Sequence, residues 1–449
     1  MSLTPLHVII IGGGIGGLCL AQKLKATGIS VAVYERNSSD VWQEGYHIRI
    51  NPFGSQALYE SLPSALWEAF LATTRKMPLD TEFLTEQLQK LLVLNRAKAH
   101  GTGDPVRAYY PISRIALRSL LLAGLEDVVH FDKAFERYES THDGKVTAYF
   151  ADGTSATGDI LVGADGANSR VCKQYLPQAA RVEIGVVAVF GKLLLTEQTR
   201  AWLPSQLLLM TNLIIPRDRY FMVNNPFDRG PVSDEALNRI YEKARAAGLN
   251  PDLLIDNTPD SLLWGFFAPI NGHSLDMRSL DGHGLQRVIG QMIERWHPDV
   301  RRLVAEADPS SISLNSLKAS TLICPWESTH VTLLGDAIHN MPPVGALGGN
   351  MALRDACSLA HALTAVKHSK LSLLPAIQAY EAEMREFSFA AARSALRRTE
   401  QMVMSNRIER LAFRTYFRIC NAIPPLKRDF RQKWTLAAMR NRAKPASLK

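Results

Sequence analysis

At 449 residues, 46% hydrophobic and 21% charged, the chain is too long for one ordinary domain and too apolar for a disordered one. Its formal charge of +8 is concentrated in residues 396–449, which carry 14 Lys/Arg against 3 Asp/Glu; no basic motif interleaves with aromatics, so nucleic-acid binding is not expected. No run of about 18 uncharged apolar residues predicts a transmembrane helix, and five scattered cysteines without a C-x-x-C pair suit a reducing, cytoplasmic setting.

Residues 6–11 (LHVIII) read as a buried parallel strand, followed by glycines and an amphipathic helix from Leu18 to Ala26 that Gly28 closes. A second apolar strand, 30–35 (SVAVYE), completes a βαβ opening with a right-handed crossover. Residues 62–100 are polar and predicted helical, and Ile112 to Leu125 is a further helix. A meander follows, with strands at 128–131, 134–140, 145–150 and 159–163. Runs at 185–195, 206–215, 219–223 and 262–268 predict a mostly antiparallel sheet. A helix is expected over roughly 285–307, a buried parallel strand at 330–334 and another helix from near Gly348.

The fold class expected is therefore α/β, with a Rossmann-type domain interleaved with a mostly antiparallel sheet domain, plus C-terminal helices. Residues 1–75, 105–178 and 320–395 form the discontinuous first domain. Residues 179–319, with a helical insertion at 76–104, form the substrate domain, and 396–449 is a basic helical segment.

Gly12-Gly13-Gly14-Ile15-Gly16-Gly17 satisfies G-x-G-x-x-G between a strand and a helix. Gly12 permits the tight turn, Gly14 lets the backbone approach a pyrophosphate and Gly17 lets helix pack on strand, with the helix N-terminus facing the phosphates. Glu35 ends the next strand where an acid binds ribose hydroxyls, and Arg36 follows it at the same edge. Two more motifs narrow the dinucleotide to a flavin. Leu161-Val162-Gly163-Ala164-Asp165-Gly166 places Asp165 on a glycine-loosened turn, and Gly335-Asp336-Ala337 offers a carboxylate to a ribityl chain. Pro342 to Asn350 then leads into a helix near Gly349 whose positive end favours an anionic reduced flavin.

Over about residues 6–395 the sequence resembles the class A FAD-dependent monooxygenases, the para-hydroxybenzoate hydroxylase-like family, on these three motifs in the family's order. The segment Ser113-Arg114-Ile115 resembles the family's arginine that reaches the flavin side of the cofactor, and Trp296-His297-Pro298 and Pro325-Trp326 also fit. The resemblance implies that Glu35 holds the adenosine ribose, Arg114 the ribityl-phosphate region and Asp336 the ribityl hydroxyls. Gly349 would offer backbone to the flavin, and Asp165 would lie between FAD and an incoming NADPH or NADH. It implies transfer of one oxygen atom of O2 to a small aromatic or polycyclic substrate, with no obligatory protein nucleophile. An oxidase or dehydrogenase on the same fold, and a non-catalytic flavin-binding protein, are the alternatives.

Two places depart from the family pattern: Ala346-Leu347 stands where glycine-glutamine is usual, and Gly45 to Ile50 carries His47 where a small residue is common. Arg49 in that segment reads either as a contact to the flavin edge or substrate, or as a surface ion pair. His339 reads as a buried residue that satisfies backbone groups rather than as a general base. Apolar and aromatic residues mark the sheet of the second domain (Met210, Tyr220, Phe221, Met222, Trp264, Phe266, Phe267). Its inward face is expected to roof the flavin and line a substrate pocket, while most of these residues individually read as ordinary core packing. The segment 396–420 mixes apolar residues with arginines. It reads as a helix packed on the FAD domain with a solvated arginine face, or as a weak peripheral contact to an anionic membrane.

Overall fold

The computed structural model describes residues 6–39, 47–74, 80–94, 104–142, 144–227, 234–254, 259–270, 277–403 and 406–436. Its centre is a five-stranded parallel sheet in the order Val331–Leu333, Ile160–Gly163, His7–Ile11, Ser30–Tyr34, Val129–His130. Val8, Ile9 and Ile10 of the middle strand are fully buried, as an unbroken apolar run should be when both faces of a parallel sheet are covered. Helices Ile15–Ala26, Arg114–Leu122 and Gly348–Lys367 pack together on one side. A small antiparallel sheet (Phe135–Ser140, Val146–Phe150, Ser155–Gly158) lies against the central strands.

The second sheet has seven strands in the order Ser313–Ser320, Arg181–Leu194, Ser261–Pro269, Phe221–Phe227, Thr211–Ile214, Thr81–Leu84, Lys90–Leu94. Every pairing is antiparallel except that of Thr211–Ile214 with Thr81–Leu84. This is the interleaved α/β architecture expected, and four local readings are corrected.

Within 62–100, helix covers Ser64–Thr73, but Thr81–Leu84 and Lys90–Leu94 form a hairpin at the edge of the large sheet; residues 75–79 and 95–103 lie outside the described residues. Phe83, Leu91, Leu92 and Leu94 are buried there, so long-range pairing overrides the local helical pattern. The first half of 206–215 is a short helix, Ser205–Leu209, and only Thr211–Ile214 is strand. The helix expected over 285–307 is two, Gly282–Met292 and Pro298–Ala305, because Pro298 starts a new helix behind His297, whose Nδ1 accepts from the Asp299 amide.

The fourth correction concerns the basic segment, of which Met404, Ser405 and residues 437–449 lie outside the described residues. After the long helix Leu373–Val403, helices Arg407–Ala422 and Pro424–Leu436 pack on the large sheet instead of the parallel one. Phe413 and Phe417 join Phe83, Phe430 and Trp434 in that cluster. Arg410 and Arg414 are buried with them. Arg410 donates to the carbonyls of Pro216 (3.3 Å), Tyr220 (3.0 Å) and Met402, and Arg414 pairs with Glu86 at 2.9 Å. Burial pushes the Arg410 guanidinium down to about 10. The inner face of this helix, not its outer one, carries these two arginines.

Candidate functional site

The three glycine-bearing motifs leave the C-terminal ends of three adjacent parallel strands, the usual place for a ligand in such a sheet. Hydrogen bonds tie the strand ends in register: Ala164 N donates to Ile11 O (2.8 Å) and Leu334 N to Gly163 O (3.0 Å). The loops then meet at close range. Gly12 has φ +111°, and a Cβ there would fall 2.4 Å from Ala164 O and 2.9 Å from Asp165 Cα. A Cβ at Gly16 would meet Leu334 Cδ1 at 2.7 Å, and one at Gly349 would meet Ile15 Cδ1 at 3.0 Å. A Cβ at Gly17 would fall 2.1 Å from the carbonyl oxygen of Gly12, which accounts for helix pressed on strand.

Gly14 is different: a Cβ there would meet nothing within 4 Å. It is the cap residue of helix Ile15–Ala26, and no side chain of its own occupies that end. An open space over a helix N-terminus, where only backbone lines the loop, is a cradle for an anionic group. These residues fit a pyrophosphate.

Glu35 is buried at the end of strand Ser30–Tyr34, its carboxylate accepting from the amides of Gly13 (2.8 Å) and Asn37 (3.0 Å). It is thus fixed at the lip of the glycine loop, and Arg36 beside it is exposed. Arg114 begins helix Arg114–Leu122, which Ser113 caps, and Arg118 lies one turn further on. Burial and then the Arg114 charge press the Arg118 guanidinium below its ordinary range, while Glu35 acts the other way. Arg118 therefore shares the neighbourhood of Arg114 and Glu35, a partner that the sequence reading passed over although it stands at i+4.

Asp336 opens the short helix Asp336–His339 and is exposed, its Oδ1 3.5 Å from where a Gly348 Cβ would stand. It therefore faces the start of helix Gly348–Lys367. Below it, His339 does not satisfy backbone groups as expected. Its Nε2 lies 2.5 Å from Asp355 Oδ2, and Asp355 also accepts from Gly335 N (3.2 Å) and Ser388 Oγ (2.7 Å). Burial disfavours the imidazolium, but the Asp355 charge and hydrogen bond outweigh it and hold His339 above its ordinary value.

Asp165 accepts from Arg170 N (2.7 Å) and Val171 N (3.3 Å), so one oxygen caps the helix Arg170–Tyr175. Its Oδ1 is buried without a hydrogen-bond partner among the described residues, and burial raises the carboxyl above its usual range. Arg49 is half-buried, and its Nη2 donates to Thr211 Oγ1 (2.9 Å), which in turn donates to Asn225 Oδ1 (2.9 Å). This arginine joins the strand His47–Ile50 to the large sheet. Gly45 and Tyr46 of that segment lie outside the described residues.

Asn350, at the end of the Pro342 to Asn350 loop, ties together two segments of the site. Its Oδ1 accepts from Asn51 N (2.8 Å), and its Nδ2 donates to Arg49 O (2.9 Å) and Ala346 O (2.8 Å). Ala346, standing where the family has glycine, holds φ +54°, a left-handed conformation that glycine adopts without strain.

The aromatic residues expected as a roof divide by strand alternation. Phe221 and Phe267 stack at 4.4 Å on the face that also packs Val344 of the loop before helix Gly348–Lys367. Met222, Trp264 and Phe266 point the other way, under helices Gly282–Met292 and Pro298–Ala305.

The FAD binding domain family matches residues 5–241 and 285–395. The chain is 32% identical over 397 residues to a dual O-methyltransferase/FAD-dependent monooxygenase, CTB3, of Cercospora beticola, covering 84% of this chain and 44% of that protein. It thus spans less than half the length of that dual-function relative. A crystal structure of an FAD-containing monooxygenase from Photorhabdus luminescens superimposes with a TM-score of 0.77 at 34% identity, over 89% of this chain and 99% of that one. The Klebsiella pneumoniae HpxO structure, solved with FAD and uric acid, shares the fold at 21% identity and a TM-score of 0.73, over 96% and 97% of the two chains. The chain belongs to the FAD binding domain family, among relatives that are FAD-dependent monooxygenases.

Proposed function

We propose that the chain is an FAD-dependent monooxygenase that takes electrons from NADPH or NADH and transfers one atom of O2 to a small aromatic or polycyclic compound. The observation that carries this reading is the open cradle at Gly14, set at the strand ends where Asp165 and Asp336 also emerge. FAD, when bound, supplies hydride acceptance and O2 activation.

In this reading Gly12, Gly14 and Gly17 shape the pyrophosphate loop. Glu35 and Arg36 hold the adenosine end, Arg114 the ribityl-phosphate region and Asp336 the ribityl hydroxyls. The helix beginning at Gly348 and Gly349 turns its positive end to the flavin. Asp165 borders the nicotinamide approach, and Arg49, held by Thr211, orients the substrate-side edge. The stacked Phe221 and Phe267, with Phe190 edge-on at 5.7 Å, favour a flat apolar substrate and keep water from it. The segments that build each sheet support a discontinuous FAD-binding domain (1–75, 105–178, 320–395) and a substrate domain (179–319 with the strands of 76–104). Among the described residues no helix is long and apolar enough to cross a membrane. The proposed cytoplasmic location rests on the scattered cysteines, all five of which are free thiols.

Consumption of NADPH and of NADH by purified protein, with and without flat aromatic compounds, tests the proposal in labelled O2. A substrate should accelerate consumption and yield a product heavier by one labelled oxygen. Consumption without mass gain assigns an oxidase or dehydrogenase. No consumption with any compound assigns a flavin-binding protein without catalysis.

A further inference from the structure

Helix Arg407–Ala422 is two-faced in an unusual sense. Phe413, Phe417, Cys420, Arg410 and Arg414 occupy the arc turned to the large sheet. The opposite arc carries Ile408, Leu411, Ala412, Thr415, Ile419 and Ala422, and Ile423 and Leu426 just beyond the helix are exposed as well. Ile408 is 81% exposed, Leu411 59%, Ile419 44% and Ile423 43%. Tyr416, 41% exposed, sits at the margin. Among the described residues nothing covers this apolar stripe, and the inner arc supplies the packing on the sheet. The segment also lies beyond residue 395, where the match to the family ends.

Charge identifies what can cover the stripe. The segment 396–449 has 14 Lys/Arg and 3 Asp/Glu, and one of those acids, Glu409, is engaged in the capping box with Asn406. Arg407, Arg418 and Arg428 are exposed around the stripe. Arg407 lies 3.6 Å from Asp218. A second copy laid on the stripe about a twofold axis would bring two such basic segments together. An anionic bilayer meets both requirements, since its acyl boundary accepts the stripe and its headgroups the flanking cations.

We infer that helix Arg407–Ala422 is a peripheral docking face that lies flat on an anionic lipid surface. The chain then attaches through the outer arc of this helix while the inner arc stays locked to the sheet by Arg410 and Arg414. Attachment needs both components: the stripe is too short to hold alone, and the cations alone are screened within about 10 Å at 0.1 M salt.

Sedimentation of the full chain with vesicles tests this inference, using phosphatidylcholine alone and phosphatidylcholine with phosphatidylserine. At about 0.1 M salt the chain should pellet with the phosphatidylserine vesicles only, and the bound fraction should fall at least roughly tenfold at about 1 M. The triple variant Ile408→Glu, Leu411→Glu, Ile419→Glu changes exposed positions and should keep its fold and flavin while losing binding by a similar factor. Failure of the wild type to pellet at low salt overturns the inference. So does undiminished binding by the triple variant. A concentration-dependent dimer that the triple variant abolishes assigns the stripe to a second copy and overturns it as well.

Discussion

His339 and Asp355 form a fully buried pair, Nε2 to Oδ2 at 2.5 Å, directly beneath the Gly335-Asp336 turn. Asp355 also receives the Gly335 amide, so the pair fixes the backbone from which Asp336 emerges. Because His339 titrates above its ordinary value of 6.5, its protonation stabilises the fold. That contribution is complete below the unfolded value and is lost as pH rises through the folded one. His339→Leu should cost about 3–5 kcal/mol at pH 6, since it strands a buried carboxylate. The deficit relative to wild type should shrink toward alkaline pH, as read by urea unfolding. A deficit independent of pH would show that the pair is not held protonated.

Gly14→Val and Gly17→Ala should fail in different ways, although both fall in one motif. The valine enters open space, so the protein should fold and lose flavin. The alanine Cβ would stand 2.1 Å from Gly12 O, so that variant should be destabilised as apoprotein. Flavin absorbance per chain and thermal melting separate the two. Stoichiometric flavin in folded Gly14→Val would remove the cradle from the pyrophosphate.

Asp336→Ala should leave the apoprotein's stability nearly unchanged, because the side chain is exposed. It should weaken FAD binding by about ten- to a hundredfold, the worth of a charged acceptor for ribityl hydroxyls at roughly 1.5–3 kcal/mol. Equilibrium titration of the apoprotein with FAD measures this. An unaltered affinity would place the ribityl chain elsewhere.

Ala346→Gly should stabilise the chain by about 1 kcal/mol, because φ +54° strains alanine and not glycine. In a chain of this length that is a rise of about 1 °C in Tm. A fall in Tm would mean that the Cβ gains more from its surroundings than the backbone loses.

The glycine motifs were legible because their requirements are local. A strand, a turn with φ +111° at Gly12 and a helix follow one another within twenty residues. The burial of Ile9 and Ile10 likewise follows from an unbroken apolar run. What could not be read depends on partners far away in the chain. Thr81–Leu84 has its hairpin partner Lys90–Leu94 on one side, but it joins the large sheet only through Thr211–Ile214 on the other. Arg410 is an inner residue only because the carbonyls of Pro216 and Tyr220 await it. Composition presents both arginine faces of that helix as alike, and only packing tells them apart. Asn350 was visible as a polar residue at a helix start, yet its three bonds go to backbone atoms that no motif marks.

Those bonds set an order on synthesis. The Asn350 side chain closes on Arg49 and Asn51 across 301 and 299 positions of chain. At translation rates of about 5–20 residues per second, roughly 15–60 seconds separate the emergence of the two halves. The opening βαβ unit can fold early, and the Arg49 strand finds Tyr110–Ser113 and Thr211 before residue 350 is made, but its backbone gains these last bonds only when Asn350 arrives. On the proposed reading the cofactor site is therefore completed late, because Asp336 and the helix Gly348–Lys367 also belong to the last part of the chain to be made.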